Sequence, residues 1–455
     1  IITMKIVIIG GVAAGAKAAA KIKRLLPNSD VSIYTDDTHV SYSACGLPYY
    51  IEGNFADYTS LLVRSVEEFN ASGIEVYLES KVEKILPVQQ QVLVCNKKNA
   101  FLVNYDKLII ATGARPIIPN IAGVKDYKNV YTLRKIEDGI VIRERMRNSK
   151  RAVIVGSGFI GIELLEAFVK NGLFVDIIEK NDRLMPSFDS DMSELIEQRL
   201  NNCNDGTFQI HTSEIVTDIL GENGLATEVK TLSGKYISAD MVILSVGVRP
   251  NSEIARDAGI VIGETGAIRV NKHMETSIKN IYACGDCCEE KHLISGKYVW
   301  VPLGSTANKE GECAALNAAG IETEFEGVLG SSVTRCLNTT MSMTGLTESQ
   351  ALEAGYSPVF AVVSKTDKVA YMPNVGEITL KVMADKFTGL LLGGQAVGSI
   401  GADKRINALA TALLGHLTVQ EFKRNDLTYS PPYSPTIDPL LTAMSILCKR
   451  VSKPC

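Results

Sequence analysis

The chain contains the same sequence of strand, glycine turn, helix and strand twice. In the first copy, the apolar run Lys5 to Ile9 enters a glycine-rich turn, and an Ala-rich helix follows and ends before Pro27. The second copy has the same order between Ala152 and Glu179. In such a βαβ unit the glycines let the backbone approach a pyrophosphate, and the helix N-terminus favours its negative charge. Two copies therefore predict two nucleotide sites in one α/β chain.

The two turns differ in their glycines. The second turn fits the G-x-G-x-x-G pattern fully, at Gly156, Gly158 and Gly161. In the first turn, Val12 holds the place of the middle glycine, and Gly11 gives room one residue earlier. Two such turns, each between a strand and a helix, indicate nucleotide binding far more strongly than either would alone.

An acidic residue about 20 positions beyond the turn binds ribose hydroxyls in such units. In the second unit this residue is Glu179. In the first unit Thr35 holds the expected place, and we assign the role to Asp36 beside it. Because a carboxylate repels the 2′-phosphate of NADPH, Glu179 favours NADH. The positive charges of Lys180 and Arg183, close by in the sequence, reduce that preference.

Each unit is followed by a second matching segment. Residues 108–116 read Leu-Ile-Ile-Ala-Thr-Gly-Ala-Arg-Pro, and residues 242–250 read Val-Ile-Leu-Ser-Val-Gly-Val-Arg-Pro. Both are buried strands that end in Gly-x-Arg-Pro, which predicts crossings between domains. From about Gly327 the chain changes to alternating β-like runs and one apolar helix over residues 406–414, which predicts a separate α+β domain.

Charge and hydropathy exclude several classes of protein. The chain has 47 Lys and Arg against 51 Asp and Glu, a net charge of −4, so it lacks the basic surface that nucleic acid requires. No apolar run reaches the roughly 18 residues of a membrane span, and the N-terminal run lacks the pattern of a signal peptide. We take Met4 as the natural start. The ten cysteines are therefore expected to be mostly free thiols in a reducing, cytoplasmic protein.

Two further segments carry a specific resemblance. Residues 276–286 read Thr-Ser-Ile-Lys-Asn-Ile-Tyr-Ala-Cys-Gly-Asp and resemble the second flavin signature of the FAD-dependent pyridine nucleotide-disulfide oxidoreductases. The helix after Pro302 resembles the one whose N-terminus faces the flavin ring in that family. Residues 41–49, Ser-Tyr-Ser-Ala-Cys-Gly-Leu-Pro-Tyr, carry one cysteine where glutathione and lipoamide reductases have two. The chain is thus similar to the single-cysteine branch.

A single thiol beside a flavin has no near neighbour with which to form a disulfide, because the next cysteine is Cys95. Cys45 must therefore cycle through a sulfenic acid or a mixed disulfide with a small thiol. A helix N-terminus nearby would favour its thiolate. We expect Cys45 to be the catalytic nucleophile.

Within the branch, the sequence is most like coenzyme A-disulfide reductases and NAD(P)H polysulfide or persulfide reductases. The run Cys-Gly-Leu-Pro-Tyr and the tail at residues 426–435 resemble that type, whereas the first turn has Ala13 where peroxidases and oxidases carry a His. The resemblance implies that Tyr429 reaches the partner subunit's site as an acid and that Tyr371 is a second such tyrosine. It also implies that Lys21 and Arg24 bind coenzyme A phosphates.

The resemblance spans Lys5 to about Pro439 and implies a homodimer with no appended rhodanese-like domain. We expect an α/β fold of two Rossmann-like domains and a C-terminal α+β dimerisation domain. The expected bounds are 4–116 with 249–326 for FAD, 117–248 for NAD(P)H, and 327–455 for the dimer interface.

The site residues that we expect fall into three further groups. For FAD they are Gly10, Gly11, Ala14, Gly15, Asp36, Val82, Ala111, Thr112, Gly113, Asp286 and Ala307. For NAD(P)H they are Gly156, Gly158, Phe159, Ile160, Gly161, Glu179 and Gly247. For the coenzyme A-linked substrate they are Lys21, Arg24, Ser41 and Arg64.

Two alternative enzymes stay open on the sequence, and a third alternative is a non-enzymatic, redox-sensing, nucleotide-binding scaffold, in which NADH would reduce the flavin only slowly. An NADH oxidase would reduce oxygen, with Cys45 passing through sulfenic acid. An NADH:ferredoxin or rubredoxin reductase would pass electrons to a carrier protein without Cys45. The cluster Cys284, Cys287 and Cys288 would allow a metal or a second redox pair, but a metal needs a second pair of ligands that the sequence does not show, so we expect no metal.

Overall fold

The computed structural model describes residues 3–452. Its strands run in chain order as follows: Lys5–Ile9 (β1), Asp30–Tyr34 (β2), Ile74–Tyr77 (β3), Lys81–Leu86 (β4), Gln91–Cys95 (β5), Ala100–Asn104 (β6), Lys107–Ile110 (β7), Ala114–Pro116 (β8), Val130–Tyr131 (β9), Arg151–Val155 (β10), Phe174–Ile178 (β11), Phe208–His211 (β12), Val216–Glu222 (β13), Leu225–Thr231 (β14), Tyr236–Ser238 (β15), Met241–Leu244 (β16), Val248–Pro250 (β17), Ile268–Arg269 (β18), Ile281–Ala283 (β19), Cys288–Lys291 (β20), Tyr298–Val299 (β21), Ser332–Cys336 (β22), Thr339–Gly345 (β23), Pro358–Thr366 (β24), Glu377–Asp385 (β25) and Leu391–Gly398 (β26).

The helices are Ala14–Leu25 (α1), Leu47–Glu52 (α2), Val66–Ala71 (α3), Ile136–Arg147 (α4), Phe159–Lys170 (α5), Ser190–Asn202 (α6), Glu253–Asp257 (α7), Gly304–Ala318 (α8), Glu348–Glu353 (α9), Ala402–Leu414 (α10), Val419–Lys423 (α11) and Pro439–Leu447 (α12). The sequence predicts that α1, α5 and α10 begin at Ala16, Ile162 and Ile406, and the structure starts them two to four residues earlier. In α1 and α5, the last residues of the glycine turn already form the first helical turn. None of the helices within residues 3–452 is both long and apolar enough to span a bilayer.

Two parallel five-stranded sheets repeat the same core. In the first, β1 lies between β2 and β7, and in the second, β10 lies between β11 and β16. The central strands are β-branched and buried along nearly their whole length, as strands covered on both faces must be. Short antiparallel sheets, β4–β5–β6 and β13–β14–β15, extend each unit. The two predicted Rossmann-like units are therefore confirmed.

The two Gly-x-Arg-Pro segments pair with each other. Strands β8 and β17 form an antiparallel ribbon in which Arg115 lies opposite Arg249. Arg115 also binds Glu253 and the side chain of Asn251, 2.6 Å away. The chain therefore crosses between the two sheets twice at one place, as the duplicated segments predicted.

The C-terminal part is an antiparallel sheet with helices on it. Its five strands lie in the order β22, β23, β26, β25, β24, and α10 and α12 pack on the sheet. Strands β25 and β26 are buried almost throughout, and they form a core with α10, α11 and α12 that is separate from those of the parallel sheets. The predicted α+β domain is confirmed.

Candidate active site

A cavity of about 1390 Å³ opens at the carboxyl ends of β1 and β7. The first glycine turn forms one wall, Gly285 and Asp286 form another, and the first turn of α8 closes it near Cys45. Ligands of open α/β sheets bind at this edge, beside the strand ends. The cavity therefore lies where the sequence predicted a dinucleotide.

Most of the residues that we expected to bind FAD lie on the cavity wall: Gly10, Gly11, Ala14, Asp36, Val82, Ala111, Thr112, Gly113, Asp286 and Ala307. Gly15 does not line it. A Cβ on Gly15 would lie 1.9 Å from the carbonyl oxygen of Gly10, so this glycine serves the close packing of helix and turn. The contact of Gly15 with the cofactor stays a prediction, and the geometry of the turn shows only its packing role.

The turn has the shape that a pyrophosphate requires. Gly10 has a φ of +97°, and a Cβ there would lie 2.1 Å from the carbonyl oxygen of Ala111. A Cβ on Gly11 would lie 2.8 Å from Cγ2 of Val40. Side chains at these positions would displace the backbone that faces the cavity, and the N-terminus of α1 follows at once. The residues present fit a bound dinucleotide.

Asp286 lies at the end of the cavity nearest α8. One of its carboxylate oxygens is 3.1 Å from Nη2 of Arg134, and only 14% of its side chain is exposed. Its backbone oxygen accepts a hydrogen bond from Nε1 of Trp300 at 2.9 Å. Asp286 is thus a fixed acceptor on the cavity wall, which suits a polyhydroxylated chain.

Cys45 is exposed and lines the same cavity, near the N-terminus of α8. It lies in a short 3₁₀ turn, Ala44–Gly46, which continues into α2. A Cβ on Gly304, the first residue of α8, would lie 3.9 Å from its Sγ atom. The predicted placement of the thiol beside a helix N-terminus is therefore present in the structure.

The expected lowering of the thiol pKa is not found. Although the residue is exposed at the cavity, the protein atoms around its thiol remove part of the water and so raise the pKa of Cys45, and the negative charges of Glu163 and Asp286 raise it further. Arg134 opposes this with a smaller effect. The thiol therefore favours its protonated form until a positive group or a bound partner offsets the two carboxylates.

Of the four residues expected to bind substrate, two line the cavity and two lie outside its wall. Ser41 and Arg64 line the cavity, and Ser41 is held with a φ of +50° by backbone hydrogen bonds to Gly11 and Val63. Lys21 and Arg24 lie on α1 outside the wall. Lys21 forms an ion pair of 2.8 Å with a carboxylate of α8, and Arg24 is exposed.

The second glycine turn repeats the geometry of the first. Gly156 has a φ of +101°, and a Cβ there would lie 2.3 Å from the carbonyl oxygen of Ser245. A Cβ on Gly161 would lie 2.2 Å from the carbonyl oxygen of Gly156, whereas Gly158 faces open space. The other expected residues flank this turn: Phe159 and Ile160 begin α5, and Gly247 has a φ of +112° after β16.

Glu179 is buried at the end of β11, with 4% of its surface exposed. One carboxylate oxygen accepts hydrogen bonds from the backbone N–H and hydroxyl of Ser157, at 2.9 and 2.8 Å. The other accepts from the backbone and side chain of Asn181, at 2.9 and 2.6 Å. The negative charge is therefore fixed beside the glycine turn.

The two tyrosines are not brought to Cys45 within one chain. Tyr371 and Tyr429 lie in loops of the C-terminal domain, 77% and 49% exposed, and neither lines the cavity. A contact with Cys45 would have to come from a second copy of the chain, as the resemblance implied.

The three cysteines around Asp286 are buried free thiols. Cys287 donates to the carbonyl oxygens of Ile110 and Cys284, at 3.4 Å each, and Cys288 donates to a carboxylate oxygen of Glu310, also at 3.4 Å. Among residues 3–452, the group whose ligand atoms converge for a metal lies elsewhere, at Asp37, His39 and Glu137. The thiols of Cys287 and Cys288 are therefore bound to protein oxygen atoms, and the expectation that no metal binds here stays a prediction.

Three residues of the site escaped the sequence analysis. Arg134 follows β9 and pairs with Asp286. Glu163 lies in the otherwise apolar start of α5 and raises the pKa of Cys45, and a carboxylate at such a place was a usable signal. Lys17 lines the cavity one turn before Lys21, on the same helix face.

The family model for pyridine nucleotide-disulphide oxidoreductases matches residues 4–311, and the model for the dimerisation domain of these enzymes matches residues 334–440. The chain belongs to this family. It is therefore an oxidoreductase of the FAD- and NAD(P)H-dependent type, and its C-terminal sheet is the dimerisation domain of the family.

Close relatives extend over nearly the whole chain. An NAD(P)H sulfur oxidoreductase (CoA-dependent) of Pyrococcus abyssi is 40% identical, over 97% of this chain and 98% of that protein. A coenzyme A disulfide reductase of Staphylococcus aureus is 32% identical, over 94% of this chain and 96% of that protein. A solved NAD-dependent persulfide reductase from A. fulgidus superposes with a TM-score of 0.94 at 35% identity, covering 98% of this chain and 83% of that one.

Proposed function

We propose that the chain uses NAD(P)H to reduce coenzyme A disulfide or a coenzyme A-linked persulfide or polysulfide, through Cys45. The single observation that carries this proposal is the exposed thiol of Cys45 on the cavity wall, at the N-terminus of α8. The other cysteines around the cavity, Cys284, Cys287 and Cys288, are buried. A lone exposed thiol suits a mixed disulfide with a small molecule.

The chemistry at sulfur balances with one hydride donor. The Cys45 thiolate attacks the disulfide of the substrate, which forms a mixed disulfide on Cys45 and releases one coenzyme A thiolate. Two electrons from NAD(P)H then cleave the mixed disulfide, and two protons complete two thiols. With a persulfide, the same two electrons release hydrogen sulfide instead of the second thiol.

The protein's own residues position the cofactor and help to stabilise the thiolate of Cys45 for this electron transfer. FAD, when bound in the cavity, supplies the two-electron relay between the nicotinamide and the sulfur. The first glycine turn would hold the pyrophosphate of FAD, Asp36 would bind a ribose, and Asp286 would bind the ribityl chain. The N-terminus of α8 places positive backbone dipoles beside Cys45, where thiolate charge develops in each cycle.

The partner subunit supplies the acid in this proposal. Tyr429 is half exposed in the loop between α11 and α12, so its hydroxyl is free to enter a second copy. There it would protonate the leaving coenzyme A thiolate, with Tyr371 in support. The names of the relatives from P. abyssi, S. aureus and A. fulgidus support coenzyme A-linked sulfur chemistry for this chain.

We further propose that NADH is the preferred donor. The buried charge of Glu179 opposes the 2′-phosphate of NADPH, and Arg183 is paired with Asp182 at 3.0 Å.

We also propose that the chain works in the cytoplasm and that its domain limits follow the crossings of the chain. The proposed limits are 4–116 with 249–326, 117–248 and 327–455, since the ribbon of β8 and β17 joins the two sheets.

The test is the intact mass of the protein, denatured without reductant, before and after dithiothreitol. We expect an added mass of one coenzyme A after exposure to coenzyme A disulfide, which dithiothreitol removes. Cys45→Ser should abolish the adduct, whereas Cys203→Ser, which changes another exposed cysteine, should keep it. An adduct that persists in Cys45→Ser would overturn the proposal.

The same samples separate the alternatives. A gain of one oxygen with no coenzyme A would favour the NADH oxidase, and oxygen uptake should then fall in Cys45→Ser. No adduct, with carrier reduction intact in Cys45→Ser, would favour the electron-transfer reductase.

A further inference from the structure

Glu312 of α8 forms ion pairs with two lysines of α1. Its Oε2 atom lies 3.0 Å from Nζ of Lys17, and its Oε1 atom lies 2.8 Å from Nζ of Lys21. The two lysines lower the pKa of Glu312 to about 2, so the carboxylate is charged at any physiological pH. Each carboxylate oxygen of Glu312 is thus paired with the ammonium group of one lysine.

Backbone packing holds this arrangement in place. A Cβ on Gly311 would lie 2.4 Å from the carbonyl oxygen of Ala14, so α8 and α1 touch at this point. Glu312 follows directly, and Lys17 and Lys21 are four residues apart on one face of α1. The helix crossing therefore brings the carboxylate to both lysines.

The ion pairs lie at the rim of the cavity that holds Cys45. Lys17 is part of the cavity wall, as are Gly304 and Asn308 on α8. Glu312 comes one helical turn after Asn308. Arg64, also on the wall, stacks on Phe69 with its guanidinium 4.4 Å from the ring centroid, and it forms no ion pair among the described residues. The Glu312 carboxylate therefore neutralises two of the positive charges that an anionic substrate could otherwise contact.

We infer that Glu312 is a specificity-determining residue that competes with phosphate groups for Lys17 and Lys21. It weakens binding of the phosphate-bearing end of coenzyme A and leaves the thiol end untouched. As a result, the preference for coenzyme A disulfide over disulfides and persulfides that carry no nucleotide is smaller than it would be without Glu312. This inference rests on the proposed function, since it concerns substrates of Cys45.

The competition follows from elementary binding energetics. A phosphate gains most from cations that have no other partner, because it must otherwise displace a group that is already bound. Glu312 is part of the same molecule and loses no translational freedom when it binds the lysines, whereas a substrate does. A thiol compound without phosphates makes no use of the two lysines and is unaffected.

The experiment compares coenzyme A disulfide with pantethine, the disulfide of the same arm without nucleotide phosphates, on the FAD-loaded protein. In Glu312→Gln, we expect KM for coenzyme A disulfide to fall by about three- to tenfold, as one or two partly exposed ion pairs allow. KM for pantethine should stay the same. The control is Glu324→Gln, which removes an exposed carboxylate paired with Lys272 away from the cavity and should change neither value.

A binding measurement separates this inference from the proposed function. In a Cys45→Ser background, Glu312→Gln should lower the Kd of coenzyme A by the same factor, and the affinity should depend more steeply on salt because two more cations meet phosphate. Equal changes for both disulfides, or an unchanged Kd, would overturn the role of Glu312. If the wild type reduces neither disulfide, the proposed function fails, and the Kd still decides the inference.

Discussion

The Sγ atom of Cys45 lies 3.9 Å from the position that a Cβ on Gly304 would occupy. Residue 304 begins α8, and Cys45 lies in the turn that precedes α2, so two segments far apart in the chain meet at the thiol. The absence of a side chain at position 304 leaves the thiol open to the cavity. This contact makes the reactivity of Cys45 sensitive to the size of residue 304.

We expect Gly304→Val to slow the reaction of Cys45 with iodoacetamide by about tenfold or more, since small misplacements at a reacting atom cost that much. The valine methyl groups extend beyond the Cβ position and approach the sulfur. Gly304→Ala is the matched control, because its single Cβ makes only ordinary van der Waals contact at 3.9 Å. Alkylation rates, followed by mass spectrometry, measure the effect. Equal rates in the two variants would refute the close approach.

Glu163→Gln should lower the pKa of the Cys45 thiol. The carboxylate of Glu163 is the largest charge effect that raises this pKa, and it is fixed by a hydrogen bond of 2.9 Å from the Thr334 hydroxyl. Removing the negative charge favours the thiolate, so the pKa falls toward the usual range of a thiol. The midpoint of the pH profile of Cys45 alkylation measures it.

The control for that shift is Glu166→Gln, one turn further along α5. Glu166 pairs with Lys170 at 2.6 Å and is not among the groups that perturb Cys45. Its substitution should leave the alkylation midpoint in place, whatever it does to stability. Coincident profiles for Glu163→Gln and the wild type would show that the charge of Glu163 does not reach the thiol.

Two buried carboxyl groups behind Asp286 make stability depend on pH. Burial raises the pKa of Glu310 to about 8 and that of Glu290 to about 9, from 4.5 in an unfolded chain. Glu310 accepts from the backbone N–H of Gly285 at 2.6 Å, and its Oε1 atom has no partner among the described residues. Because these two groups bind more protons in the folded chain than in the unfolded chain over this range, their contribution to stability is full below about pH 4.5 and is lost as the pH rises to about 9.

We expect Glu310→Gln to raise the free energy of unfolding at about pH 8 by about 1–3 kcal/mol, because a neutral amide replaces a group that burial prevents from ionising. The gain should disappear near pH 5, where Glu310 is protonated. Thermal unfolding of the FAD-loaded protein at both pH values measures this. Glu324→Gln, an exposed control, should show no such gain at pH 8. A gain of equal size at both pH values would contradict the buried-proton explanation.

The fold was predictable because its signals are local. The strand β1, the turn at Gly10 and the helix α1 each carry their own pattern of residues, and the repeat in β10, Gly156 and α5 doubled the signal. The duplicated segments predicted crossings of the chain, but the pairing of β8 with β17 and the antiparallel register of Arg115 with Arg249 required the structure. Helix starts were misjudged by a few residues, since a glycine turn has no marker for its first helical residue.

The site was predictable where residues act through their own type, as Cys45 and Asp286 do. It was not predictable where a residue acts through a distant neighbour. The raised pKa of Cys45 depends on burial by surrounding segments and on the charge of Glu163, which comes from α5. The pairing of Lys21 depends on Glu312, which comes from α8. Such contacts are set by the crossing of helices, which no short segment of the sequence encodes.

The proposed preference for NADH is assigned to Glu179, whose carboxylate is fixed by Ser157 and Asn181. We expect Glu179→Gln to reduce the ratio of kcat/KM for NADH to that for NADPH by about tenfold, since a neutral amide no longer repels the 2′-phosphate and one such charge contact is worth about 1–2 kcal/mol. Steady-state rates with each donor measure this ratio.

Asp182→Asn tests the same electrostatic preference by freeing a positive charge instead of removing a negative one. Asp182 pairs with Arg183 at 3.0 Å, and its neutralisation frees that guanidinium for a 2′-phosphate. The variant should improve kcat/KM for NADPH and leave that for NADH unchanged, because no carboxylate that faces the ribose is altered. If Glu179→Gln weakens NADH and NADPH to the same extent, then the carboxylate only supports the turn at Ser157, and preference between the donors must depend on other residues.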